Sequence, residues 1–291
     1  MEFSKRKGEE ALVNSNMIEI LLPTFNGSTY LEVQLESVFE QTNQDWKLLI
    51  RDDGSTDGTV SIIEKWQLTF PEKITIIIDG LERLGASGSF SKLMEYSIAP
   101  YVMLCDQDDF WLPQKVEKSL NRILKAEIEF GNQTPIMVCT DLEVVDVNLN
   151  TISPSFWKDR KDDPLILNNF EKLIAHSVVT GNTIILNRLA VEVSIPIKTN
   201  FFLHDQWISI KVARYGKSLF IAESLVKYRQ HNSNVLGSFK LNKRYLLKKI
   251  KSIPYYIWSW MKLKADLQME FSIRKVIFFK LNYNWNKIFN D

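Results

Sequence analysis

Histidine and cysteine are scarce: the 291-residue chain has three His and two Cys. His176, His204 and His231 lie far apart and near neither cysteine, so a zinc-type Cys/His cluster is excluded. Cys105 and Cys139 each sit inside an apolar, strand-like run, which reads as two buried thiols in a reducing cytoplasm rather than a disulfide scaffold. No run of about 18 apolar residues occurs, so no membrane-spanning helix is expected. Residues 1–16 are polar and charged and lack the apolar core of a signal peptide; they read as a flexible N-terminus. Internal repeats, low-complexity tracts and a Gly-rich P-loop with its Lys-Ser/Thr are all missing. A diphosphate would therefore have to be held by metal and scattered basic residues.

What is present is globular: 45% hydrophobic and 24% charged residues, with 17 Phe, 9 Tyr and 8 Trp. The net charge of +1 hides an asymmetry, because residues 240–291 hold 12 Lys/Arg against Asp266, Glu270 and Asp291. This basic, aromatic tail reads as a helical extension. Its mixture of Tyr, Trp and Lys, including Lys248–Lys251, suits a membrane interface, with packing on the domain or an oligomer contact as alternatives and nucleic acid disfavoured. The body, 17–239, divides into halves at 17–110 and 111–239.

From residue 17 onward strand-like and helix-like segments alternate, which predicts βαβ units and a mainly parallel sheet. Strands are expected at 17–22, 46–50, 74–78, 101–105, within 136–147 and at 183–186. Helices are expected at 30–41, 60–68, 90–97, 170–175 and 207–213, with another begun by Pro113 at its first position. Residues 148–167 read as an irregular loop that can lie over a site.

Three polar clusters follow successive strands: Pro23-Thr24-Phe25-Asn26-Gly27, Asp52-Asp53-Gly54-Ser55-Thr56-Asp57 and Asp106-Gln107-Asp108-Asp109. Each alone is ordinary turn chemistry. Together they meet at the carboxyl edge of a parallel sheet, where such folds bind ligands. Hard carboxylate oxygens in the third cluster suit Mg²⁺ or Mn²⁺, ions that bridge protein carboxylates to phosphates.

With Arg51–Gly58, Cys105–Trp111, His204-Asp205-Gln206-Trp207 and the run from Tyr228 to Gly237 added, the sequence resembles the bacterial family 2 glycosyltransferases of GT-A fold. The resemblance covers roughly three-quarters of the chain, and its last two motifs look most like the rhamnosyltransferase branch of cell-surface polysaccharide synthesis. It implies inverting, metal-dependent transfer from a UDP- or dTDP-sugar to a lipid-linked glycan at the inner face of the plasma membrane. By motif it assigns Pro23, Thr24, Asn26, Asp52, Asp53, Arg83, Asp106 and Gln107 to the nucleotide. Asp108, Asp106 and His231 fall to the metal, and Asp205 to the general base. Asp109, His204, Trp207 and Arg229 fall to the acceptor or diphosphate. Two alternatives stay open: a haloacid-dehalogenase-like phosphatase, suggested by Asp106-x-Asp108 though position 110 is Phe rather than Thr or Val, and a nucleotide-sugar-binding subunit without turnover.

Overall fold

The computed structural model describes residues 16–81, 83–198, 203–231, 253–267 and 270–289. The expectations for residues 1–15, for 232–237 and for Lys248–Lys251 lie outside the described residues.

Strand β1, Ile18–Thr24, is buried along its whole length, as a run of apolar residues covered on both faces must be. It is flanked by β2 (Trp46–Asp52) and β4 (Tyr101–Leu104), both parallel to it, and β3 (Ile74–Ile76) pairs parallel with β2. The sheet continues through β8 (Ile185–Asn187), β6 (Ile136–Val145), β9 (Lys217–Arg229) and β5 (Phe110–Trp111), with β7 (Thr151–Ser153) on β6. Antiparallel pairs enter where β8, β7 and β5 join, while β6 and β9 run parallel over most of their length. The GT-A, α/β expectation of a mostly parallel sheet holds.

Alternate strand residues feed two cores. Ile18, Ile20, Leu22, Leu48 and Ile50 pack with α1 (Leu31–Phe39), α2 (Thr59–Thr69) and α4 (Lys115–Phe130). Leu21, Leu49, Val102 and Leu104 face α3 (Gly85–Tyr96), α6 (Phe170–Ala175), α7 (Arg188–Ser194) and α8 (His204–Tyr215). Helices α9 (Ile253–Leu267) and α10 (Ile273–Phe289) add Trp260, Leu263 and Val276 to that second layer.

Several local expectations shift. Helix α3 starts at Gly85, whose φ of +72° suits glycine, rather than at Phe90. Pro113 precedes α4 by two residues, with Gln114 at the cap. Gly58, not a Ser, Thr or Asp, occupies the cap of α2, while Asp57 reaches past it to the Thr59 N–H at 3.0 Å. Residues 148–167 carry structure of their own: β7, α5 (Phe156–Asp159) and a 3-10 turn at Pro164–Asn168.

Candidate active site

Parallel register brings Thr24 level with Asp52, and Leu21 level with Leu104, so the three polar clusters leave the sheet side by side. Side chains stitch the first two together. Thr24 donates to Asp52 at 2.8 Å, and Asp52 also accepts from the N–H of Ser55 at 2.7 Å. Asn26, left-handed at φ 48°, accepts from the Thr56 N–H at 2.8 Å while its own N–H donates to Ser55 Oγ at 2.9 Å. Asn tolerates that backbone region better than most residues. Pro23 is the buried penultimate residue of β1, paired with Arg51.

Two predicted nucleotide contacts are already committed to the protein. Gln107 accepts from the Phe25 N–H at 2.8 Å and donates to the Phe25 carbonyl at 3.0 Å, which locks the third cluster to the first. A Cβ on Gly27 would stand 2.3 Å from Gln107 Oε1, so this junction needs glycine. Asp53 is buried and accepts from Arg51 at 2.6 Å and from the N–H groups of Leu84 and Gly85 at 2.8 and 2.7 Å. Burial favours its neutral form, but those donors outweigh burial and hold its carboxyl below the usual range. Asp53 thereby fixes the turn that carries Arg83, whose guanidinium lies 3.6 Å over the Phe25 ring at the edge of the nucleotide clusters.

The acidic turn is braced from β9. The Arg229 N–H donates to Asp109 Oδ1 at 3.1 Å, and its guanidinium donates to the carbonyls of Asp108 at 2.9 Å and Val147 at 2.6 Å. Asn182 donates to the other Asp109 oxygen. His231 Nε2 is 2.9 Å from Asp108 Oδ2. Arg229 and His231 therefore brace the turn, and Asp108 remains partly open.

Asp106 keeps some accessible surface; burial of its carboxyl pushes it up to about 7, and repulsion from Asp108 and Asp205 adds to this. Asp109 is raised well above the ordinary carboxylate range by burial and by the same neighbours. Such crowded carboxylates are what a divalent cation relieves, so the donor set fits Mg²⁺ or Mn²⁺. Among the described residues no three carboxylate, imidazole or thiol groups close a metal cage by themselves. A cation at Asp108 and Asp106, with His231 beside them, would take its remaining oxygens from water and phosphate, which is the usual habit of Mg²⁺.

Asp205, in the first turn of α8, is near enough to the acidic turn for its charge to act on Asp106. The helix starts at His204, with Leu203 at the cap, so Asp205 is the second residue of its first turn. It is 6% exposed, and burial pushes its carboxyl up to about 6, against the pull of the Gln206 N–H and the Arg160 charge. His204 is buried, stacks on Phe90 with centroids 4.2 Å apart, and is pushed down to about 4 by burial, hence neutral. Trp207 does not reach the acceptor side: it is a core residue whose indole N–H donates to the Ser194 carbonyl at 2.7 Å.

Sequence reasoning missed Tyr30, Gly181 and Asn182. Tyr30 stacks on His231 with centroids 5.0 Å apart, and the Arg229 guanidinium lies 4.6 Å from the centroid of the same Tyr30 ring. The Gly181-Asn182 pair just before the strand at 183–186 was the available signal for the other two.

The profile described as "Glycosyl transferase family 2" matches residues 19–185. The chain is 27% identical over 228 residues to the dTDP-rhamnosyl transferase RfbG of Shigella flexneri, covering 75% of this chain and 74% of that one. It is 25% identical over 234 residues to the Escherichia coli UDP-Glc:alpha-D-GlcNAc-diphosphoundecaprenol beta-1,3-glucosyltransferase WfgD, covering 78% and 83%. A Bacillus subtilis protein described as a putative teichuronic acid biosynthesis glycosyltransferase, TuaG, is 31% identical over 115 residues, 40% of this chain and 45% of its own length. Among solved structures, S. aureus TarS 1–349 with UDP-GlcNAc superposes with TM-score 0.59 at 12% identity, covering 94% and 73% of the two chains. Mannosyltransferase PcManGT from Pyrobaculum calidifontis, with GDP-Man and Mn²⁺, gives 0.59 at 16% identity, covering 93% and 69%. With a GT-A fold, three clusters at one sheet edge and a family match over more than half its length, the chain belongs to glycosyl transferase family 2.

Proposed function

We propose that this glycosyltransferase moves a rhamnose or another hexose from a dTDP- or UDP-sugar to a lipid-linked glycan of a cell-surface polysaccharide, inverting the anomeric centre. The observation that carries this reading is Asp205, a buried carboxylate at the first turn of α8, near enough to the acidic turn for its charge to act on Asp106, with its proton affinity raised toward neutrality. As general base it takes the proton of the acceptor hydroxyl while that oxygen attacks the anomeric carbon and the bond to the diphosphate breaks. A carboxylate with a pKa near 6 is ionised at neutral pH yet basic enough to accept the proton. Thr24, Asp52 and Asn26 shape the base and ribose end, and Arg83 borders it on Phe25. Asp108 and Asp106, with His231, would hold Mn²⁺ or Mg²⁺, which supplies charge for the departing diphosphate.

Among the described residues no helix is long and apolar enough to cross a membrane. The C-terminal helices instead expose Tyr255, Trp258 and Met261 on α9 and Phe278 and Trp285 on α10, which supports peripheral contact with an anionic leaflet. Phosphomonoester hydrolysis has Asp106-x-Asp108 in its favour but not the residue that should follow, since position 110 is Phe110 at the start of β5. Thermal-shift titration with UDP, dTDP and GDP, each with and without Mn²⁺, followed by transfer assays on polyprenyl-diphosphate sugars, tests the assignment. A Mn²⁺-dependent shift with one pyrimidine diphosphate and transfer of the matching sugar are expected. A folded protein that binds none of them would sink it.

A further inference from the structure

Asp108 is held at two points by the chain leaving β9. His231 Nε2 lies 2.9 Å from its Oδ2, and Arg229 Nε donates to its carbonyl at 2.9 Å. Both holders rest on one ring. The Tyr30 phenol stacks on the His231 imidazole, with centroids 5.0 Å apart and planes 30° from parallel, and the Arg229 guanidinium lies 4.6 Å from the centroid of the same phenol. Tyr30 itself belongs to the opposite side of the site. It closes the first polar cluster, where its N–H and that of Leu31 donate to the Gly27 carbonyl at 3.1 and 3.0 Å, and the Gly27 N–H donates to Thr59 Oγ1 at 2.8 Å, at the start of α2.

Local structure does not account for the ring. Tyr30 is the cap residue of α1, yet its side chain makes no capping bond there. It is half-buried and joins neither apolar core. What the ring touches is the pair that fixes Asp108. An aromatic face attracts a guanidinium, and a stacked partner sets the plane of an imidazole. We propose that Tyr30 is a positioning residue that couples the nucleotide clusters to the cation: by seating His231 and Arg229 on one ring, it keeps Asp108 where a nucleoside diphosphate and its divalent cation meet. The consequence is linkage. Nucleotide and cation each bind more tightly when the other is present, and the ring carries part of that mutual gain.

This inference rests on the donor-site reading above, and one experiment separates the two. Calorimetry measures UDP and dTDP affinity, in EDTA and at saturating Mn²⁺, for the full chain, Tyr30→Leu, Tyr30→Phe, His231→Gln and the double variant of Tyr30→Leu with His231→Gln, with Tm recorded for each. Tyr30→Leu is expected to keep its affinity in EDTA within about twofold and to lose about tenfold at saturating Mn²⁺. Tyr30→Phe keeps the ring and should bind as the unmodified chain does. The loss from Tyr30→Leu should shrink when His231→Gln is already present. An unchanged Mn²⁺ gain in Tyr30→Leu overturns the inference, as does an equal loss in Tyr30→Phe, which would place the effect in the hydroxyl. A parallel fall in Tm and in both affinities also overturns it, because that is what a packing role gives. An unmodified chain that binds neither nucleotide with Mn²⁺ overturns the donor-site reading itself.

Discussion

His231 Nε2 sits 2.9 Å from Asp108 Oδ2, a contact between groups 123 residues apart that ties the end of β9 to the acidic turn. Tyr30 stacks on the imidazole from α1's approach, and Arg229 stacks on Tyr30, so the ring's orientation is set before any ligand arrives. Asp108→Asn is expected to abolish Mn²⁺-dependent nucleotide binding and to lower transfer at least about 100-fold. His231→Gln should weaken Mn²⁺ activation by roughly 10- to 100-fold. The Mn²⁺ activation curve is the readout, and an unchanged curve in His231→Gln would remove the imidazole from the metal set.

Asp205 sets a pH dependence. Its carboxyl is raised from 3.8 to about 6 by burial, so kcat/KM at saturating Mn²⁺ should rise with pH up to about 6 and level off above it. Stability runs the opposite way. The folded state holds this proton more tightly than the unfolded chain, so stability falls as pH climbs from about 4 to about 6 and the full penalty stays above that. Asp205→Asn should therefore be inactive yet more stable at pH 8, by up to about 3 kcal/mol, with the gain fading near pH 4. Urea melts at the two pH values, paired with a pH–rate profile, check both halves. A variant with no stability gain at pH 8 would contradict the burial argument.

Gly181 backs His204. A Cβ there would lie 2.3 Å from Nε2 of an imidazole already pressed against Phe90, leaving it little room to yield. Gly181→Ala is expected to cost about 1–3 kcal/mol and to shift the neighbouring Asp205. Transfer should drop, and Mn²⁺-dependent UDP binding should weaken with it, because the adjacent Asn182 braces Asp109 of the acidic turn. Unchanged transfer in a folded Gly181→Ala protein would argue against a role for this packing.

Arg51 is buried between two carboxylates, 2.6 Å from Asp53 and 2.8 Å from Asp79. Removing its charge leaves both acids buried without their cation, so Arg51→Met should cost about 3–5 kcal/mol in urea denaturation. Both acids are held below the ordinary carboxylate range. Their contribution is thus complete at neutral pH and is lost as pH falls through the acid range, a slope that should flatten in the variant.

Much of the donor edge was legible because β1, β2 and β4 are short apolar runs, each ended by residues that make turns. Their parallel order then forced Thr24, Asp52 and Asp106 to neighbouring places. Strand β9 was not legible. Lys217–Arg229 mixes buried and exposed residues without alternation, because its pairing with β6 shifts register twice, and only tertiary partners define it. The meeting of Asp108 with His231 followed from resemblance, not from spacing. Residue type also left some protein partners unseen: Gln107, Asp53 and Trp207 carry polar atoms suited to ligands, and the fold bonds them to Phe25, to the Leu84 turn and to Ser194.

The long pairing of β6 with β9 also bears on how the chain is born. Residues paired across this ladder, such as Cys139 and Phe220, are about 80 positions apart. At roughly 5–20 residues per second of synthesis, β6 waits several seconds on the ribosome with one apolar edge bare. Over that interval the acidic turn also lacks its braces, since Arg229 and His231 are made after everything they clamp. The braced turn is therefore complete only once residue 231 has been made, and a chain halted before residue 229 leaves an edge of β6 without its β9 partner.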